Sequence, residues 1–114
     1  MNENAKQILI VEDEEIIRLS LRKLLERHDY AVSEAISVKA AQEAYNLNAF
    51  NLIISDLRLT GSSGIELIQP AGSVPVLVMT SYASLRSAVE TMRQGAADYI
   101  SKPFDHEEML AAVR

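Results

Sequence analysis

The feature that most constrains this chain is a regular alternation between short, unbroken aliphatic runs and longer stretches in which apolar residues recur every three or four positions. The runs are Ile8-Leu9-Ile10-Val11, a weaker Tyr30-Ala31-Val32, Leu52-Ile53-Ile54, Val76-Leu77-Val78-Met79 and Tyr99-Ile100. Runs this short, rich in Ile and Val and bounded by polar residues, suit strands covered on both faces, as in a parallel sheet. Between them, Ile17, Leu21, Leu24 and Leu25, and later Leu85, Ala88, Val89 and Met92, follow helical spacing and predict amphipathic helices. A β-α unit repeated five times implies an α/β fold: a doubly wound parallel sheet with right-handed crossovers and helices on both faces.

Local signals mark the element ends. Ser37 and Ser84 stand where helix N-caps are needed, Asp105 and Glu108 have capping-box spacing, and Gly95 follows the fourth helix as a C′ residue. The third helix is the weakest, because Pro70, Gly72 and Pro75 leave the segment from Gly64 to Gln69 less than two turns. With 114 residues and no linker or repeat, the chain reads as a single domain spanning 1–114. The last helix runs into Arg114, which suggests an excerpt of a longer protein.

Composition excludes several functions. Hydrophobic residues make up 48% and charged residues 24%, enough for a real core and far from the disordered range. The absence of cysteine removes disulfides, thiolate metal sites and thiol nucleophiles. A net charge of −5 and only six aromatics argue against direct nucleic-acid binding. Met1 to Lys6 is polar and the first apolar run ends at once in Glu12 to Glu15, so neither a signal peptide nor a span of roughly 20 apolar residues is expected. A cytoplasmic protein with no membrane role is the expectation.

In an open α/β sheet, chemistry gathers beyond the carboxyl ends of the strands. Glu12 and Asp13 follow the first strand, Ser55 and Asp56 the third, Thr80 and Ser81 the fourth, and Ser101, Lys102 and Pro103 the fifth. If the first and third strands are neighbours, three carboxylates converge and repel one another unless a cation neutralises them. Hard oxygen ligands without imidazole or thiol select Mg²⁺, Mn²⁺ or Ca²⁺, and a shallow site with few protein ligands favours Mg²⁺. A divalent cation beside a lysine and a hydroxyl is what a phosphoryl group needs, with a carboxylate as nucleophile. Alone, Asp56 would read as a turn residue, Glu12 and Asp13 as an acidic helix start, and Lys102-Pro103 as a strand-ending turn. His28 and His106 stand apart from the acidic group.

Taken together and in order, Glu12-Asp13, Asp56, Thr80 and Lys102-Pro103-Phe104 resemble the receiver domain of bacterial two-component response regulators, over essentially the whole chain. From Met79-Thr80-Ser81-Tyr82 to Phe104-Asp105 the wording is most similar to receivers of NtrC-like transcription activators. The resemblance implies the flavodoxin-like, five-stranded order 2-1-3-4-5. It implies that Asp56 is the phosphoacceptor for a sensor histidine kinase. Mg²⁺ would then be held by Asp13, Asp56 and the backbone carbonyl of Arg58, with Glu12 acting through a water. Lys102 would pair with the phosphoryl oxygens, and Thr80 would donate its hydroxyl to them. Tyr99 would be the switch aromatic, and Pro103 would follow a cis peptide that aims Lys102. Arg58 and Tyr82 would tune the lifetime of the phosphoryl group. The chain would not be a conventional enzyme, although it would catalyse its own aspartyl phosphorylation and slow dephosphorylation. A downstream effector, DNA-binding in the same full-length chain or a separate protein, and a homodimer on phosphorylation are the implied partners. The face for them, built from the fourth helix, fifth strand and fifth helix, carries Tyr99, Arg86, Glu90 and Arg93.

Two departures stand out. Thr60 occupies a position where the family often has proline and is followed by Gly61-Ser62-Ser63-Gly64, which predicts a more mobile loop beside Asp56. The segment Ile65 to Val74 is also several residues short. Two rival readings differ in class. One is a receiver-like module that works without phosphorylation, which the intact set of Glu12, Asp13, Asp56, Thr80 and Lys102 disfavours. The other is a phosphatase with an aspartyl nucleophile, whose pattern places a second aspartate where Arg58 stands.

Overall fold

The structure, a computed structural model, describes residues 5–114; residues 1–4, which the single-domain reading includes, lie outside the described residues. Strands β1 (Gln7–Val11), β2 (Ala31–Ala35), β3 (Leu52–Asp56), β4 (Val76–Thr80) and β5 (Asp98–Ser101) alternate with helices α1 (Glu15–Arg27), α2 (Val38–Ala44), α3 (Ile68–Ala71), α4 (Leu85–Arg93) and α5 (His106–Val113). Every pairing in the five-stranded sheet is parallel and the order is β2-β1-β3-β4-β5, as expected. The chain leaves β1 for β2 on one side and β3 on the other, so the switch point lies between β1 and β3.

Strand residues sort by twos onto the two faces. Ile8, Ile10, Leu52, Ile54, Leu77 and Met79 face one buried cluster, completed by Leu21, Leu24 and Leu25 of α1 and by Met109 and Leu110 of α5. Leu9, Val11, Ile53, Val76 and Val78 face the other, closed by Val38 and Ala41 of α2, Leu67 and Ala71. Burial on both faces explains why these strands read as continuous aliphatic runs rather than alternating ones. The caps fall where the sequence puts them: Ser37 accepts from Ala40 N–H, Ser84 accepts from Ser87 N–H, and Asp105 and Glu108 form a reciprocal capping box.

Four local expectations change. The second strand extends to Ala35 and carries half-buried Ser33 and Glu34, because it is an edge strand covered less fully than β1 or β3. Pro70 does not end the third helix. A 3₁₀ turn over Gly64–Leu67 runs into α3, and Pro70 sits in the first turn of α3, where its missing N–H is tolerated. The apolar stripe of α4 does not face the core: Leu85 is 83% exposed and Val89 and Met92 are exposed too, while Thr91 is buried. The helix is rotated so that Ser87 meets Tyr99 of the edge strand β5. Finally, residues after Asp56 form no irregular loop. Arg58–Leu59 and Ser62–Ser63 pair as a short antiparallel hairpin whose two-residue turn is Thr60-Gly61, with Gly61 at φ +82°.

Candidate functional site

Parallel register assembles the site from three strand ends. Val11 lies opposite Ser55, so the residues that follow, Glu12 and Asp56, emerge side by side at the carboxyl edge. β4 pairs with both β3 and β5, and the main chain passes from Ser101 at the end of β5 into Lys102, whose N–H donates to the Thr80 carbonyl at 2.7 Å. The Lys102 ammonium then reaches back across the edge, donating to Asp56 Oδ2 at 2.8 Å and Glu12 Oε2 at 3.2 Å. Carboxylate oxygens of Glu12, Asp13 and Asp56 all lie within 4.8 Å of one another.

Each carboxylate is held differently. Glu12 is fully buried and accepts the Glu14 N–H at 3.1 Å. Its main chain is fixed as well: its N–H donates to the Ala35 carbonyl at 3.0 Å, and its carbonyl accepts Arg18 Nη1 at 2.9 Å, with Arg18 Nε on Glu34 at the same distance. Asp56 Oδ1 accepts the Arg58 N–H at 3.1 Å. Asp13 Oδ2 accepts from the hydroxyl and the N–H of Thr60, at 2.8 and 3.2 Å.

Burial pushes the Glu12 carboxyl up to about 7, with the neighbouring Asp56 charge adding to the rise against the Glu14 N–H and Lys102. The Thr60 hydroxyl holds Asp13 below its ordinary value. For Lys102, burial works to lower its pKa, but the Asp56 hydrogen bond and the charges of Glu12 and Asp56 prevail and raise it. Three carboxylates against one ammonium leave excess negative charge on hard oxygen donors. That donor set fits a divalent cation of the Mg²⁺ or Ca²⁺ kind.

The other predicted residues surround this group. Thr80 is buried at the end of β4, and its hydroxyl oxygen accepts the Tyr82 N–H at 3.1 Å. The Arg58 guanidinium lies 4.4 Å from the centre of the Tyr82 ring, joining the two exposed residues that flank the site. The Lys102–Pro103 peptide is cis. Tyr99 is half-buried and its hydroxyl donates to Ser87 of α4 at 2.9 Å, so its polar end engages α4 rather than the acidic group. Glu12 meets Lys102 directly, a contact absent from the sequence-based expectation of a water-mediated role.

Three supporting residues escaped sequence reasoning. Arg18 reads only as a polar position on α1, and nothing in the sequence points it at the Glu12 carbonyl. Thr60 shows up only as a departure from the family pattern. Gly64 packs so tightly beneath Asp56 that a Cβ there would overlap the Asp56 carbonyl and the Ser55 hydroxyl; its one signal is a glycine shortly after the key aspartate.

Comparison with known proteins places the chain in a family. A family model described as the response regulator receiver domain matches residues 8–114. The chain is 39% identical over 115 residues to the response regulator protein FleR of Pseudomonas aeruginosa, covering 96% of this chain and 24% of that protein. It is 37% identical over 109 residues to the transcriptional regulatory protein FixJ of Azorhizobium caulinodans, covering 92% and 52%. The chain thus spans from about a quarter to about half of these relatives' length. Among solved structures, a response regulator protein from Burkholderia pseudomallei with a phosphorylated aspartic acid, calcium ion and citrate superposes with a TM-score of 0.83. That match has 35% identity and covers 96% of this chain and 66% of the other.

Proposed function

The chain belongs to the response regulator receiver domain family of two-component systems, and on that premise we propose that it is a phosphorylation-controlled switch with Asp56 as phosphoacceptor. The observation that carries this reading is the Lys102 ammonium bridging Asp56 and Glu12, with Asp13 alongside, at the carboxyl edge of the sheet. In the proposed step an Asp56 carboxylate oxygen attacks the phosphorus of a sensor kinase's phosphohistidine. The O–P bond forms, the P–N bond breaks, and the leaving imidazole keeps the electron pair and takes up a proton. The result is an aspartyl phosphate that water later hydrolyses. The product stays on the chain, so this is self-modification rather than conventional enzyme turnover.

Asp13, Asp56 and the backbone carbonyl of Arg58 would hold Mg²⁺, with Glu12 acting through a water, and the ion would offset charge on the transferring oxygens. Lys102 already donates a hydrogen bond to Asp56 and would pair with the phosphoryl oxygens after transfer. The Thr80 oxygen accepts from Tyr82, which leaves its own O–H free to be donated to the phosphoryl group. Arg58, stacked on Tyr82 beside the site, would with it set how readily water reaches the acyl phosphate. Tyr99 would report the change by exchanging its Ser87 bond for an inward position, altering the α4-β5-α5 face that bears Arg86, Glu90 and Arg93.

The output we propose is transcription regulation of the NtrC-like kind, through an effector region beyond this chain or a separate effector, with homodimerisation on phosphorylation. Direct nucleic-acid binding by this chain is not part of the proposal. Among the described residues no helix is long and apolar enough to cross a membrane, and we place the switch in the cytoplasm. The test is intact-mass analysis after incubation with acetyl phosphate and Mg²⁺. Wild type gains one hydroxylamine-labile phosphoryl group and Asp56→Asn gains none; a wild type that gains none overturns the reading.

A further inference from the structure

We infer that Thr60 is a positioning residue for the cation site, tying together the two loops that carry the cation's ligands. The inference rests on the reading above, in which Asp13, Asp56 and the Arg58 carbonyl hold Mg²⁺. Asp13 belongs to the turn after β1, whereas Asp56 and Arg58 belong to β3 and the hairpin that follows it. Besides the Lys102 bridge between Glu12 and Asp56, the structure connects these segments at the rim of the site through Thr60. The Thr60 hydroxyl and N–H both donate to Asp13 Oδ2, at 2.8 and 3.2 Å. Both donors land on the same oxygen, so Thr60 restrains the Asp13 side chain without using Oδ1.

Thr60 is itself firmly based. It occupies the turn of the hairpin in which Arg58 pairs with Ser63 and Leu59 with Ser62. That hairpin is closed below by the Gly64 N–H on the Leu57 carbonyl at 2.9 Å, and Ser63 and Glu66 form a capping box just beyond it. The β-branched side chain has few χ1 states, so its hydroxyl is aimed rather than free. The Arg58 carbonyl lies two residues back along the same hairpin, and fixing Thr60 to Asp13 therefore fixes the spacing of two ligands from separate loops. Without the tether the Asp13 side chain regains rotamer freedom that cation binding would have to remove. Partners of this kind, one step outside the ligands, typically govern about 10- to 100-fold in metal affinity.

The test is Mg²⁺ binding to the whole chain by isothermal titration calorimetry, with no phosphoryl donor present. Thr60→Val keeps the shape and the N–H but loses the hydroxyl, and is expected to bind Mg²⁺ about tenfold more weakly. Thr60→Ala should weaken binding alongside it, and Thr60→Ser should restore most of the affinity. Thermal unfolding in the absence of metal should place all three near the wild type, which separates a lost tether from a lost fold. Wild-type affinity in either hydroxyl-free variant overturns the role of Thr60 and leaves the cation reading standing. A wild type that binds no Mg²⁺ overturns both.

Discussion

Glu12 is fully buried among two other carboxylates with a single ammonium for company, and its protonation should therefore leave a mark on stability. Its carboxyl is raised from 4.5 to about 7, so between those values the folded chain holds a proton that the unfolded chain has released. The stability due to that extra proton affinity is fully present below about pH 4.5 and is lost as pH rises through 7. Glu12→Gln stays neutral throughout. In metal-free buffer it should be more stable than wild type at pH 8, on the order of 1–3 kcal/mol by urea unfolding. The gap should close as pH falls toward 4.5; a gap that is constant or reversed would refute the account. Glu12, Asp13, Asp56 and Lys102 were legible in the sequence because residue type and position after a strand point to the same edge. The contacts that hold them were not. Thr60 reaches Asp13 across 47 positions and Tyr99 reaches Ser87 across 12, separations that carry no periodic signal and depend on how a hairpin and an edge strand happen to pack.

At the scale of elements, the hairpin after β3 shows how tightly a short segment can be specified. The two polar serines and two glycines of Gly61 to Gly64 suggest a loose loop. Gly61 instead makes the turn, and Gly64 lets the backbone pass directly beneath Asp56. Gly64→Ala would drive a methyl into the Asp56 carbonyl and the Ser55 hydroxyl, the first a backbone atom that cannot swing aside. The expected cost is about 1–3 kcal/mol of stability, read as a lowered urea midpoint with unchanged slope. A midpoint equal to wild type would mean the hairpin yields without cost. Helix α4 gives the opposite lesson. Its spacing of Leu85, Ala88, Val89 and Met92 correctly marks a helix, yet the apolar stripe is exposed, because periodicity fixes relative positions on a helix and not its rotation about its own axis. The rotation that buries Thr91 and brings Ser87 to Tyr99 is a tertiary relation that no single segment encodes.

For the whole molecule, folding gathers carboxylates that the unfolded chain scatters, and the proposed function makes that cluster a cation site. Asp13 follows β1 and Asp56 ends β3, and the two come together only when those strands pair. A cation bound by the folded state alone must then stabilise it by mass action, by about 2.7 kcal/mol at 100 times the dissociation constant. For a domain of this size that corresponds to a rise of roughly 10 °C in the unfolding midpoint. The chain's net charge of −5 gives any salt a weaker, non-specific effect, because screening at ordinary ionic strength acts on all surface carboxylates alike. Calorimetric scans at matched ionic strength separate the two contributions. MgCl₂ should raise the midpoint well above NaCl, and Asp13→Asn should lose most of that difference while keeping the NaCl response. Equal shifts from the two salts would mean that the three carboxylates hold no specific cation, and the geometry at the carboxyl edge would then have to be explained by Lys102 alone.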